Sequence, residues 1–478
     1  MDSDKSGSRK LHVLVVSYPA QGHLNQLLHF SRAIAERGGI TVTFAATSTH
    51  IHQVLQRLDG WDPQSFDIQF KELPMPMRMP NLSVGELDLQ TSHTFPLHLI
   101  PLFEALEDFL NPFLDLLMGK ICSESNNRVV LVYDAGMAWI QALATKYGIP
   151  AYVFIPAGAY QTLWFAYKLS GQTAPLPPVN ISLKRCLPER HLEFVSRQSC
   201  LREFAKGQIL NTCSAMESKF ISRLREERIF CGKPVWTLGP LLPPTFFNED
   251  PCSQTQRADR ECMRWLDRQL PQSVVYVSFG TMSCFPVLQI RELAEGLERS
   301  RLAFLWVLRI PDGAHFSTEG QSDWISKCLP EGYEGRLGGR GFIAGDWVPQ
   351  LEILFHKAIG GFLSHCGWNS TVESISAGVP MVAWPLHSDQ FANSALIEEE
   401  LKVGVQVKEW RNAEENELVS AEEVEKGLKR LMISEEGMQM RKMAQELRDE
   451  ARRAVGEGGS SLKDLDSLIS HSSGQFSS

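Results

Sequence analysis

A chain of 478 residues, 43% hydrophobic and 22% charged, has ordinary globular composition and enough length for two or more lobes, each with its own core. Its formal net charge of −9 excludes nucleic acid and anionic membrane surfaces as the principal partner. No run approaches the ~18 uninterrupted apolar residues of a spanning helix, and the opening MDSDKSGSRK lacks the apolar core of a secretory signal, so a cytoplasmic protein is expected.

Residues 11–17, LHVLVVS, read as a buried strand and YPAQGH as a turn. Residues 24–37 carry Leu24, Leu27, Leu28, Ser31, Ile34 and Ala35 at helical spacing and stop at Gly38–Gly39. ITVTFAAT is the next strand, so a βαβ unit and a parallel sheet are expected. Residues 71–96 read as irregular. RVVLVYD, 128–134, with a helical stretch ending at Gly148, repeats the pattern; residues 171–194 again read as irregular. Insertions of that length are usually functional loops or disorder. Residues 239–261, Pro-rich, polar and without a period, read as a linker. Beyond it SVVYVSFG (273–280), AFLWVLR (303–309), GFIAG (341–345), AIGGFLS (358–364) and PMVAWP (380–385) are strands alternating with helices. From about residue 420 the chain reads as helical and charge-patterned, with a loose end at SSGQFSS. Two α/β lobes joined this way place a ligand cleft at the carboxyl ends of their strands. Ten cysteines without a CxxC pair read as reduced buried thiols rather than a disulfide or metal framework.

The segment SHCGWNSTVESISAGVP, 364–380, gathers His365, Trp368, Asn369, Ser370 and Glu373 where a strand gives way to a helix. The first N–H groups of such a helix are unpaired and carry the positive end of its dipole, which suits a phosphate. Alternatively, Asn369 or Ser370 merely caps the helix. The dipole supplies only about half a positive charge, and no Lys or Arg lies between 358 and 390. Hydrogen bonds and His365 must make up the rest, which fits a nucleoside diphosphate held without a metal. D-x-D triplets occur only at Asp2/Asp4 and Asp464/Asp466, in a polar tail and a terminal helix, and neither makes a convincing metal site. His23, where the first strand turns into its helix, and Asp134, at the end of RVVLVYD, reach the same sheet edge. On position alone, a lone histidine there is more often a cap or surface residue than a base.

Read outward, the segment becomes WVPQLEILFHKAIGGFLSHCGWNSTVESISAGVPMVAWPLHSDQ, Trp347–Gln390, which closely resembles the signature box of plant family-1 UDP-glycosyltransferases. PAQGHLNQ, GPLLP, WLDRQLPQSVVYVSFGT and LPEGYEGR extend the resemblance over nearly the whole chain. It implies an α/β fold of GT-B type, two facing Rossmann-like lobes with parallel sheets and an interdomain cleft. Residues 1–245 would form the acceptor-binding domain, 246–261 the linker and 262–455 the UDP-sugar-binding domain, with 456–478 a C-terminal helix and tail packing back toward the N-terminal domain. By position, the resemblance puts Trp347 on the uracil with Gln350 beside it, and Glu373 on the ribose hydroxyls. Thr281, His365, Asn369 and Ser370 go to the diphosphate, and Trp368, Asp389 and Gln390 to the sugar. His23 becomes the general base and Asp134 the residue that orients it. Inverting transfer from UDP-glucose as co-substrate is implied, with no cofactor and no metal. Many relatives have, after the strand AYVF, a Thr that touches the sugar's 6-hydroxyl; here Ile155–Pro156–Ala157–Gly158 stand in that place, and Pro156 has no side-chain donor.

Within the family, NQLLHFSR, FKELPMP and SDQFANSALI look like the branch containing the zeatin O-glycosyltransferases. The implied acceptor is a hydroxyl of a small plant metabolite, zeatin-type cytokinins first. A flavonoid or other phenolic, glycosylated at oxygen or carbon, is the alternative. The acceptor pocket is expected from residues 71–100 and 135–200, in a protein acting as a monomer. A UDP-sugar-binding protein without turnover is a further alternative, opposed by the presence of His23 and Asp134. An NAD enzyme is opposed by YPAQGH standing where G-x-G-x-x-G would be needed.

Overall fold

The computed structural model of the chain describes residues 10–55, 58, 61–75, 100–125, 128–172, 181–227, 232–247, 260–281, 283, 285–308, 321–410 and 417–476. The first lobe is built on β1 (Leu11–Val16), β2 (Ile40–Thr47), β3 (Ile68–Leu73), β4 (Val129–Asp134), β5 (Ala151–Ile155), β6 (Gln208–Leu210) and β7 (Val235–Thr237). They form one parallel sheet in the order β3-β2-β1-β4-β5-β6-β7. The second lobe is built on β8 (Val274–Ser278), β9 (Ala303–Val307), β10 (Gly341–Ala344), β11 (Ile359–Ser364), β12 (Met381–Ala383) and β13 (Gly404–Gln406). Its parallel sheet runs β10-β9-β8-β11-β12-β13. The central strands are buried along nearly their whole length, because helices cover both faces, so their sequences are continuous apolar runs rather than alternations. In each sheet the order reverses once, between β1 and β4 and between β8 and β11. A crevice opens at the carboxyl ends of the strands at such a point.

The structure departs from the sequence reading in four places. Lys71–Leu73, read as the start of an irregular stretch, finish β3, an edge strand in register with β2 from Val42↔Ile68 to Thr47↔Leu73. Only Leu73 of its residues is buried, so it lacks the apolar run that marks the central strands. The rest of that stretch, from residue 76, lies outside the described residues. The stretch 171–194 contains a short helix, Leu183–Cys186, capped by the Ser182 side chain, and reaches into a longer one, Glu189–Leu201. Only Phe194 and Gln198 are buried on the latter, too thin a stripe to announce a helix. β6, β7 and β13 have three residues each, too few to show a period. Finally, the end read as loose is ordered as far as residue 476: the last helix, Ser460–Gly474, is followed by Phe476, which packs against the first lobe's core under the Arg128 guanidinium.

That helix belongs to the first lobe by its contacts. Leu465 and Leu468 join the core that holds Leu11 and Val13. Asp464 accepts from the Thr237 N–H, the Thr237 hydroxyl and Arg225, and Asp466 pairs with Arg37 at 2.9 Å. The helix before it, Glu435–Val455, lies against the helix Trp368–Ala377 of the second lobe, so the end of the chain ties the lobes together. No helix among the described residues is long and apolar enough to cross a membrane.

Candidate functional site

The carboxyl ends of β1 and β4 face those of β8 and β11 across a cleft whose cavity is about 810 Å³, at the large end for a small-molecule site. Every residue singled out from the sequence lines this cleft except Asp134, which lies behind His23.

On the first lobe, the helix Gln21–Ala35 follows β1 after a short turn and carries His23 in its first turn. β4 ends on Asp134, whose Oδ1 accepts from the Gly136 N–H at 2.8 Å and so closes the next turn. Its Oδ2 lies 2.8 Å from His23 Nδ1. The Asp134 side chain is fully buried, while 33% of the His23 side chain remains open. A carboxylate accepts from Nδ1–H, which leaves Nε2 as the basic nitrogen. Burial works to lower the His23 pKa. The Asp134 charge and hydrogen bond, with Asp389 across the cleft, outweigh it and hold the pKa above the ordinary histidine value. The Tyr18 ring, 5.1 Å from that of His23 and 4.9 Å from that of Phe103, walls the pair; burial and the Asp134 charge push its phenol well up, so it stays neutral.

On the second lobe, the helix Trp368–Ala377 starts after Gly367 with no side chain capping it. The capping alternative for Asn369 and Ser370 therefore falls. Asn369 Nδ2 donates across the cleft to the Gly22 carbonyl at 2.8 Å, and Ser370 Oγ accepts from Gln350 Nε2 at 3.1 Å. His365 lies over the turn after β8, beside Thr281: a Cβ on Gly280 would stand 2.8 Å from His365 Nε2, and Gly280 sits at φ +78°. Only glycine satisfies both conditions. Burial pushes the His365 pKa down to about 4, against a raising hydrogen bond with the Ser278 backbone. At neutral pH it contributes a hydrogen bond rather than a charge. An anion at this helix start is thus met by dipoles and neutral donors.

Elsewhere on the same wall, Trp347 is 36% exposed, and the Arg260 guanidinium sits 4.6 Å from its ring centroid and donates to its carbonyl. Gln350 accepts from the Tyr276 hydroxyl at 3.2 Å and donates to Glu373 Oε2 at 2.6 Å. The Trp368 indole N–H donates to the Asn211 carbonyl of the first lobe at 2.8 Å. Its ring meets Gly158, where an added Cβ would lie 2.7 Å from it. Asp389 accepts from Asn393 at 2.7 Å, and burial raises its pKa. Gln390 Oε1 accepts from the Leu386 and His387 N–H groups at 2.8 and 3.1 Å, and its donor end, Nε2, lies 3.5 Å from both His387 ring nitrogens.

Sequence reasoning missed the residues that hold these in place: Tyr276 behind Gln350, Arg260 on Trp347, Asn211 opposite Trp368. Each lies far along the chain from its partner, and no local motif marks it. In chemical terms the cleft joins a buried carboxylate–imidazole base to an uncapped helix start, with an indole, an amide and a carboxylate beside it. Those parts suit proton abstraction from one molecule next to an anionic leaving group on another.

Residues 9–243 match the family profile described as glycosyltransferase, N-terminal domain, and residues 212–436 the one described as UDP-glucoronosyl and UDP-glucosyl transferase. The chain is 39% identical over 470 residues to the zeatin O-glucosyltransferase of Phaseolus lunatus, covering 97% of each. It is 38% identical over 467 residues to the zeatin O-xylosyltransferase of Phaseolus vulgaris, covering 97% of this chain and 98% of that one. Among solved structures, it is similar to Phytolacca americana UGT2 complexed with UDP-2fluoro-glucose and pterostilbene, with a TM-score of 0.75 and 26% identity, over 97% of this chain and 99% of that one. With its two doubly wound lobes and the cleft between them, the chain belongs to the plant family-1 UDP-glycosyltransferases and has their GT-B fold.

Proposed function

We propose that the chain transfers glucose from UDP-glucose to a hydroxyl of a small plant metabolite, with inversion and without a metal ion, and that the acceptor is a zeatin-type cytokinin. The observation that carries this reading is the Asn369–Gly22 hydrogen bond, 2.8 Å across the cleft. It brings the uncapped helix start to the residue next to His23, so the base and the anion site adjoin. The second lobe takes the donor: uracil against Trp347 and Gln350, ribose on Glu373, diphosphate at Thr281, His365, Asn369 and Ser370. The sugar then lies by the Trp368 ring, Asp389 and the Gln390 amide. The first lobe takes the acceptor. His23 Nε2 removes the hydroxyl proton as the oxygen bonds to the anomeric carbon and the bond to the UDP oxygen breaks. Attack opposite the leaving group turns an α-linked donor into a β-glycoside. Asp134 stabilises the imidazolium as it forms, and the helix start and His365 receive the charge on UDP.

Glu373→Ala is expected to raise KM for UDP-glucose roughly 10–100-fold, since hydrogen bonds to a charged group are worth about 1.5–3 kcal/mol. Steady-state kinetics check this, and an unchanged KM would remove Glu373 from the ribose. Activity is expected to persist in excess EDTA. A loss restored by manganese would show that an ion helps hold the diphosphate.

The zeatin O-glycosyltransferases of Phaseolus lunatus and Phaseolus vulgaris, 39% and 38% identical to this chain, support this acceptor. The cleft adds that Tyr18, Phe103, Phe165 and Phe194 line its acceptor end, which suits a flat ring and keeps a phenolic acceptor as the second reading. Xylose is the second reading for the sugar, because Pro156 lines the cleft without offering a donor to a hydroxymethyl group. The test is a screen of trans-zeatin, a flavonol and a simple phenol with UDP-glucose and UDP-xylose, read by mass spectrometry. Rapid flavonol conversion with no zeatin glycoside would discard the cytokinin, and no product from any acceptor would favour a binding protein.

A further inference from the structure

The described residues lining the cleft include the carboxylates of Glu203, Glu352, Glu373 and Asp389 but one Arg or Lys, Arg202. Arg202 stands where the helix Glu189–Leu201 ends and a short 3-10 turn begins. Its Nη2 donates to the carbonyl of Ala135 at 3.1 Å, the residue directly after Asp134. Its Nε is buried without a hydrogen-bond partner. This half-buried guanidinium has no salt-bridge partner among the described residues, and its charge sits at the turn that follows Asp134. The Asp134 carboxylate is fully buried and has two hydrogen bonds, from His23 and Gly136. A positive charge beside a carboxylate–imidazole pair opposes the binding of a further proton by that pair.

We propose that Arg202 is a positioning residue for the base pair: it pins the Ala135 turn behind Asp134 and sets a positive charge at that turn, which opposes protonation of His23 and so keeps it available as a base. This rests on reading His23 and Asp134 as the base and its orienting residue. The other titratable groups around the pair do not supply that charge. Tyr18, beside the first helix, and Tyr133, on β4, have phenols pushed up by burial. His191, on the helix before Arg202, is pushed down to about 4 by burial and is neutral. Asp389, across the cleft, is an acid that favours the protonated form of His23. Arg202 is itself coupled to Tyr133 and Asp134 while burial lowers its pKa.

Removing the charge makes the environment of the pair less positive, so the pair binds protons at higher pH. The test follows the His23 imidazole by NMR in the full chain labelled with ¹³C-histidine, its resonance assigned by its loss in His23→Ala. Arg202→Gln, which keeps a donor for Ala135 but not the charge, is expected to raise the His23 titration midpoint by roughly one pH unit, and Arg202→Met to do the same. Arg202→Lys is expected to titrate with the wild type. UDP binding by calorimetry confirms that each variant is folded. A midpoint that is unchanged or lower in both charge-free variants overturns the proposal, a fall meaning that Arg202 only braces the turn. The base reading is tested separately by the transfer rate of His23→Ala, so either idea can fail alone.

Discussion

Replacing His23 by alanine is expected to lower sugar transfer to an alcohol acceptor by ~10²–10⁴-fold, the range that general-base assistance supplies. The measurement is kcat/KM with UDP-glucose and trans-zeatin. The loss should fall on chemistry and not on the donor. Trp347, Gln350 and Glu373 lie on the other lobe, and the bond that Asn369 makes to this turn is to the Gly22 carbonyl, which the substitution leaves in place. UDP affinity by calorimetry is therefore expected to match the wild type. The size of the loss depends on the acceptor: a phenol is partly ionised by its own acidity and needs less help, so its loss is smaller than that of an aliphatic alcohol. Near wild-type turnover of the alcohol by the variant would mean that another group takes the proton.

Much of this site was legible in the sequence, and the reason is geometric. A doubly wound lobe delivers short strand-to-helix turns to one edge, so a motif confined to one turn reports its own place. PAQGH put His23 after β1, RVVLVYD put Asp134 at the end of β4, and SHCGWNS put a helix start after β11, which the structure shows to be uncapped. What stayed hidden depends on residues far apart in the chain. Nothing in NSTVE tells that Asn369 reaches Gly22, or that the Trp368 indole is bonded to Asn211, because those contacts exist only once two lobes face each other. Arg202 ends a helix whose stripe is too thin to read, and its relation to Asp134 passes through one backbone carbonyl. His365 shows a different limit. Its presence was legible, but its protonation was not, since a pKa near 4 comes from how deeply the turn around it is packed. β3 was missed for the opposite reason: an edge strand carries polar residues, and its pairing with β2 rather than its composition makes it a strand.

Asp134→Asn is expected to cost transfer as much as ~10²–10⁴-fold, although it removes no group that touches substrate. In the native turn one carboxylate oxygen accepts from the Gly136 N–H and the other from His23 Nδ1, each at 2.8 Å. Asparagine has one acceptor and one donor end. The backbone N–H of Gly136 can only donate, so the amide oxygen stays on Gly136 and the Nδ2 group turns to His23. Nδ1 must then accept, and the ring proton moves to Nε2, the nitrogen that has to be bare to take the acceptor's proton. The variant keeps its shape and holds the wrong tautomer. Asp134→Ala leaves Nδ1 without a partner and both tautomers available, so it is expected to retain at least as much activity as the asparagine variant. Both substitutions also remove the Asp134 charge and hydrogen bond that raise the His23 pKa against the lowering effect of burial. A protonated His23 cannot act as base, so the acid limb of kcat/KM lies above the ordinary histidine value in the wild type and moves to lower pH in the variants. Residual activity of Asp134→Asn within a few-fold of wild type, or an acid limb that does not move, would mean that this carboxylate does not govern the His23 proton.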